Sequence, residues 1–265
     1  MIDFVSVIGL VLGIFLTLYG FTMDGGKIHL LWLLSAIVIV FGGSFGSTVL
    51  SFGFNQVKMF PKLLLEVFIA PKSKITKSMD LLIKLSDKAR KDGVLSLENM
   101  VQDSKGKDAP DPFLKKAILM VIDGTDAEEI SDILGNEIDI YEKKKTSAIT
   151  MFDTMAQYAP AYGMIGTIMG LIMLLQDMSS PEQLTKSIAV AFVTTLYGSM
   201  AANLLFLPSS RKLRNRLVDY RLEKEMIIEG VCAIRNSVNT RLLKDKLAMY
   251  LQFEKGDPNK IKNKK

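Results

Sequence analysis

A single cysteine, Cys232, excludes an intramolecular disulfide framework and suits a reducing cytosolic face. Its simplest reading is a small buried hydrophobe. A single histidine, His29, leaves no cluster of metal-ligand spacing. No Ser/His/Asp or Cys/His arrangement stands in a plausible place, so an enzyme working by side-chain chemistry is not expected. Residues 20–27 (GFTMDGGK) superficially suggest a phosphate loop, but the spacing is wrong and no Ser or Thr follows Lys27.

The most telling absence is local. The chain carries 33 Lys and Arg and 28 Asp and Glu, yet four stretches hold none: 4–23, 28–57, 154–176 and 187–210. Each reaches the roughly 20 residues that a helix needs to cross a hydrocarbon core. A mean hydropathy of +0.25 fits this segregation of charge. The expected fold is all-α, a polytopic membrane protein with four transmembrane helices and a helical cytoplasmic domain. The first stretch has no Lys or Arg ahead of it, carries Asp3, and shows no small-residue cleavage site before Asp24. A retained first span is expected, not a cleaved signal.

Basic residues mark the side. Residues 58–153 hold 16 of them and residues 211–265 hold 15, leaving only Lys27 and Lys186 for the other connectors. By the positive-inside rule both termini and the long loop are cytoplasmic, with short outer turns at 24–27 and 177–186. Four segments follow: 1–57 with spans one and two, 58–153 as a cytoplasmic helical domain, 154–210 with spans three and four, and 211–265 as a cytoplasmic helix and basic tail.

The loop has helical patterning. Ile75, Met79, Leu82 and Leu85 form one amphipathic face. Pro110 and Pro112 can open a helix carrying Phe113, Leu114, Ala117, Ile118 and Val121, which Gly124 stops. Thr125 and Glu128 have capping-box spacing ahead of a helix through Ile130, Leu134, Ile138 and Tyr141 into span three. Leu213, Leu217 and Tyr220 continue span four inward. The tail is basic, 15 against 7 acids, which reads as anchoring to anionic membrane lipid. No aromatic-studded groove accompanies it, so a nucleic-acid partner is not expected. Residues 256–265 are polar and expected to be disordered.

Spans three and four contain no Asp or Glu, the usual stop for an ion in hydrocarbon. They offer small residues: Gly163, Gly166, Thr167 and Gly170 on one, Ala189, Thr194, Thr195, Gly198 and Ser199 on the other. Such residues let helices approach closely. If this protein moves ions, the acid comes from another chain.

Four segments carry a resemblance. Residues 159–171 (APAYGMIGTIMGL) resemble the third span of flagellar stator A subunits, the MotA/PomA family, distantly related to ExbB/TolQ. Residues 189–198 (AVAFVTTLYG) with 203–208 resemble the fourth span, 89–98 (ARKDGVLSLE) the cytoplasmic signature, and 40–46 (VFGGSFG) the glycine motif of span two. The resemblance implies a homopentamer around a dimer of a B subunit of the MotB type, whose membrane aspartate binds the coupling ion, H+ or Na+. It implies torque on the rotor protein FliG and no cofactor. Pro160 and Pro208 match the family's functional prolines, although a helix break at a membrane edge also accounts for Pro208. Thr195 and Thr167 match ion-path hydroxyls, and helix packing remains an alternative for Thr167. Arg90 and Glu98 match the rotor-binding charges; on charge alone they are ordinary solvated residues. Eight residues apart, they would share a helix face if Gly93 allowed one helix. An ExbB/TolQ-type energiser of a periplasm-spanning partner is the alternative, with three spans expected where four are read here. A scaffold without transport is a further alternative, distinguished by tolerance to change at Thr195 and Pro160.

Overall fold

The computed structural model describes residues 3–69, 75–102, 111–176 and 181–254. Its described residues form nine helices of more than four residues: α1 (Phe4–Met23), α2 (Leu34–Ser51), α3 (Phe54–Phe68), α4 (Ile75–Asp92), α5 (Leu97–Gln102), α6 (Pro112–Ile122), α7 (Ala127–Gln176), α8 (Pro181–Arg235) and α9 (Thr240–Glu254). Four of these, α1, α2, α7 and α8, are long and apolar enough to cross a membrane. The α1 bounds coincide with the first uncharged stretch. The second stretch is divided: α2 stops at Ser51, and Gly53 precedes a separate α3. Pro110, the outer turn at 177–180 and the tail 256–265 lie outside the described residues.

Contact density divides the chain into two compact units, Met1–Pro71 with Lys145–Asn215, and Lys72–Lys144 with Arg216–Lys265. These bounds depart from the charge-defined ones at 57/58, 153/154 and 210/211. The reason is that α3 and the α7 turns before Asp153 are amphipathic and pack with the spans. Phe152 is fully buried and stacks on Phe60 with ring centroids 4.8 Å apart. Lys145 pairs with Glu66 at 2.5 Å.

In the first unit, α1 buries none of its residues, and Phe4, Val5, Ile8, Val11, Phe15 and Leu16 are exposed. In water such a surface costs about 25 cal/mol per Å², so α1 requires lipid or another chain against it. Hydrogen bonds tie α2 to its neighbours: Tyr162 Oη to Ser47 Oγ at 2.7 Å, and Tyr197 Oη to the carbonyl of Leu31, just ahead of it, at 2.6 Å.

The second unit has a conventional core. Ile75, Met79, Leu82 and Leu85 of α4 are buried, as are Phe113, Leu114, Ala117, Ile118 and Val121 of α6. Ile130, Leu134 and Ile138 of α7 meet Met226, Ile227, Val231 and Ile234 of α8 in the same cluster. Gly124, at φ +85°, ends α6, where a side chain would be strained. The capping-box position moves by one residue: Asp126, whose carbonyl accepts from the Ile130 amide, is the residue before α7. Cys232 is half-buried against this core, where its thiol donates to the Ala127 carbonyl at 3.4 Å and burial pushes its pKa above the usual thiol value.

Candidate functional site in the membrane unit

The seam between α7 and α8 is built from glycines that meet the backbone or a side chain of the facing helix. A Cβ added at Gly198 would lie 2.5 Å from the Ala159 carbonyl oxygen and 3.1 Å from Pro160 Cα. One at Gly170 would lie 2.7 Å from both the Ala191 nitrogen and the Ser187 oxygen. At Gly166 it would meet the Thr194 side chain at 2.5 Å. At Gly170 and Gly198 the obstructing atoms are backbone, so there the two backbones approach as closely as small-residue packing allows.

This closeness brings the two sequence-predicted threonines together. Thr167 Oγ1 lies 2.5 Å from Thr195 Oγ1, and donates within reach of the Ala191 carbonyl at 2.9 Å and the Gly163 carbonyl at 3.1 Å. Thr194, one residue away, is fully buried and satisfied by the Val190 carbonyl at 2.8 Å. Adjacent threonines are therefore placed differently: Thr194 is buried within the seam, and Thr195 sits at its exposed edge with its hydroxyl on Thr167.

Below Thr195, the exposed face of α8 continues through Ser199 and Asn203 at intervals of four residues. Asn203 Nδ2 donates to the Ser199 carbonyl at 2.9 Å. Polar side chains within a span usually face the bundle interior or a water-filled cavity, so this face belongs against protein or water. Ser199 and Asn203 were not singled out from the sequence as site residues. The polar i, i+4, i+8 spacing from Thr195 was the available signal.

Pro160 lies within α7 at the Gly198 contact. Having no amide hydrogen, it leaves the Ala156 carbonyl without its usual helix donor. Pro208 lies within α8, just after a π-helical turn at Ala201–Phe206. With Ser6, Leu10, Phe68, Asn203 and Lys212 it lines a cavity of about 240 Å³. The Lys212 ammonium there contacts the Asp3 carboxylate and the Ser6 hydroxyl.

Arg90 and Glu98 belong to the other unit and are exposed. They do not share a helix. Gly93, at φ +82°, terminates α4, and a tight turn at Val94–Ser96 leads into α5. Arg90 therefore ends one helix and Glu98 begins the next, with Leu97 buried beneath them and Leu95 exposed. No group of three or more His, Cys, Asp or Glu could hold a metal among the described residues.

A family model described as the MotA/TolQ/ExbB proton channel family matches residues 105–226, and one described as motility protein A N-terminal matches residues 7–93. Motility protein A of Borreliella burgdorferi is 36% identical over 243 residues, covering 92% of this chain and 91% of that protein. The chain belongs to the motility protein A family. MotA-family structures agree with this. A structure of C. jejuni MotAB matches with TM-score 0.87 and 27% identity over 97% of this chain and 98% of that one. The flagellar MotAB stator complex from Bacillus subtilis matches with TM-score 0.87 and 29% identity over 96% and 98%. The chain is a flagellar stator subunit and a multi-pass inner-membrane protein.

Proposed function

We propose that this chain is the A-type half of an ion-driven stator, five copies surrounding a dimer of a MotB-type B subunit and turning against it. The observation that carries the proposal is the paired Thr167–Thr195 hydroxyls beside an exposed polar stripe, on two spans that hold no carboxylate. That surface can guide an ion but cannot hold it by charge, so the aspartate comes from the B subunit's membrane helix. The coupling ion is H+ or Na+. One ion crossing 100 mV supplies about 2.3 kcal/mol, which leaves little room for friction between the turning surfaces. A face of Gly, Ala, Thr and Ser serves where interlocked Leu would not.

Both termini and the second unit lie in the cytoplasm, with the basic tail against anionic lipid. Arg90 and Glu98 engage oppositely charged residues of the rotor protein FliG. Pro160 and Pro208, each removing a helix donor near the inner end of a span, couple ion binding to the cytoplasmic helices.

Deleting the gene tests the proposal. Cells should keep assembled flagella that do not rotate, and restoring the chain together with its B subunit should restore swimming. Normal swimming in a deletant that has no second stator would reject it. Swimming speed measured against sodium at fixed pH then assigns the ion.

A further inference from the structure

We infer that Lys224 and Arg235 are positioning residues that fasten α6 to α8 at both ends, making α6 a strut behind the rotor-facing turn; this rests on the stator reading above. The matching lengths suggest it first. Helix α6 has 11 residues, about 16.5 Å at 1.5 Å each. Lys224 and Arg235 stand 11 residues apart on α8, the same distance and close to three full turns. They therefore project from one side of α8 and meet opposite ends of α6.

At the first end the Lys224 ammonium lies 2.8 Å from Asp111 Oδ1. That same oxygen accepts from the Phe113 amide at 2.9 Å, so it caps α6. Lys224 is 4% exposed and lies over the rings of Phe113 and Tyr220, at 5.1 and 5.2 Å. A lysine this deeply buried is rare unless paired. At the other end Arg235 Nε donates to the Thr125 carbonyl at 2.8 Å, and Nη2 donates to the Gly124 carbonyl at 3.0 Å. These are the residues at which α6 turns back toward α7.

Apolar burial between the two ends holds α6 against α8 but has no direction along the axis. Hydrogen bonds to charged groups do. With one at each end, α6 can neither slide along α8 nor rock on it. Helix α5 and the Val94–Ser96 turn pack on α6, and Leu97 is buried in the shared core directly before Glu98. The α8 helix runs from Pro181 to Arg235 and also carries Thr195 and Pro208. Movement of its inner segment is therefore passed to α6, and from α6 to the α4–α5 turn, without slack. Arg221 shows the contrast. Its partners are Asp139 and Glu142 on α7 and Glu225 on α8 itself, so it joins the two long helices and leaves α6 alone.

The test is a bead assay at stall, in cells with their own rotor and with the native stator genes replaced by variants. Each added stator raises torque by one step. Step height reads transmission, and step number reads assembly. Lys224→Met, Arg235→Gln and the double variant should each lower step height by about twofold or more, with Arg235→Lys intermediate because it lacks the second fork. Undiminished step height in Arg235→Gln, whose side chain is partly exposed and whose loss leaves the core intact, overturns the strut. So does a loss that shows only as fewer steps or less protein in the membrane. A wild-type chain that yields no torque steps overturns the stator reading and the strut together.

Discussion

Gly198→Ala is the sharpest probe of the α7–α8 seam. The new Cβ would begin 2.5 Å from the Ala159 carbonyl oxygen, against an ordinary carbon–oxygen contact of about 3.3 Å. The helices would have to part by about 0.8 Å, since 3.3 less 2.5 is 0.8. The obstructing atoms are backbone and cannot swing aside, so the cost falls in the upper part of the overpacking range, about 2–3 kcal/mol. Alanine's better helix propensity returns about 1 kcal/mol. The net is a loss of about 1–2 kcal/mol, large against marginal stabilities. Gly135→Ala on α7 is the matched control: nothing lies within 4 Å of its Cβ position. Only the propensity term remains there, and it should stabilise by up to about 1 kcal/mol. Thermal denaturation of the detergent-solubilised A–B complex should therefore move in opposite directions for the two variants. Because the parted seam also carries the Thr167–Thr195 pair, Gly198→Ala should reduce swimming while Gly135→Ala should not. A Gly198→Ala complex as stable as wild type would refute the seam as the closest approach of these helices.

Thr195→Val keeps the shape and removes the hydroxyl. If that oxygen faces the ion, losing a contact worth about 1.5 kcal/mol should slow ion uptake roughly tenfold in vesicles holding the A–B complex, and Thr195→Ser should restore it. Unchanged uptake in Thr195→Val would assign the residue to packing. Charge reversal at Arg90 should impair swimming and be partly restored by an opposite reversal on the rotor. Full motility after loss of both Arg90 and Glu98 would leave the rotor contact elsewhere. Tyr162→Phe deletes the 2.7 Å bond to Ser47 and should lower stability by about 1 kcal/mol, read from the same melting curves.

The spans were legible because hydrocarbon admits no charge, and a sequence displays the absence of charge directly. For the same reason α1 ends at Met23, where the first uncharged stretch ends. The second stretch was not equally legible. Residues 28–57 are uniformly uncharged, and only the backbone around Gly53 shows that the span has already stopped at Ser51. The core of the second unit followed from the spacing of Ile75, Met79, Leu82 and Leu85, since helical periodicity survives without any knowledge of partners. What the spacing of Arg90 and Glu98 could not give was their geometry, because one residue at positive φ turns a shared face into two helices.

The same limit applies more strongly to the site. Composition identified Gly166 and Gly170 as a packing surface, yet which glycine meets backbone and which meets a yielding side chain is a property of the pair of helices. The two π-helical turns, Val38–Gly42 and Ala201–Phe206, carry no compositional mark at all. Each widens a span locally, and such turns concentrate where helices serve a function. They also meet: the Phe41 and Phe206 rings pack edge to face with centroids 6.3 Å apart. Pro208 follows at once and cannot donate to the Leu204 carbonyl, which lies inside the widened turn. Between the exposed Asn203 and the charged segment that begins at Arg211, α8 thus combines a widened turn with a missing helix donor. On the stator reading proposed above, this is where the span would give as the ion binds, next to the polar stripe of Thr195, Ser199 and Asn203.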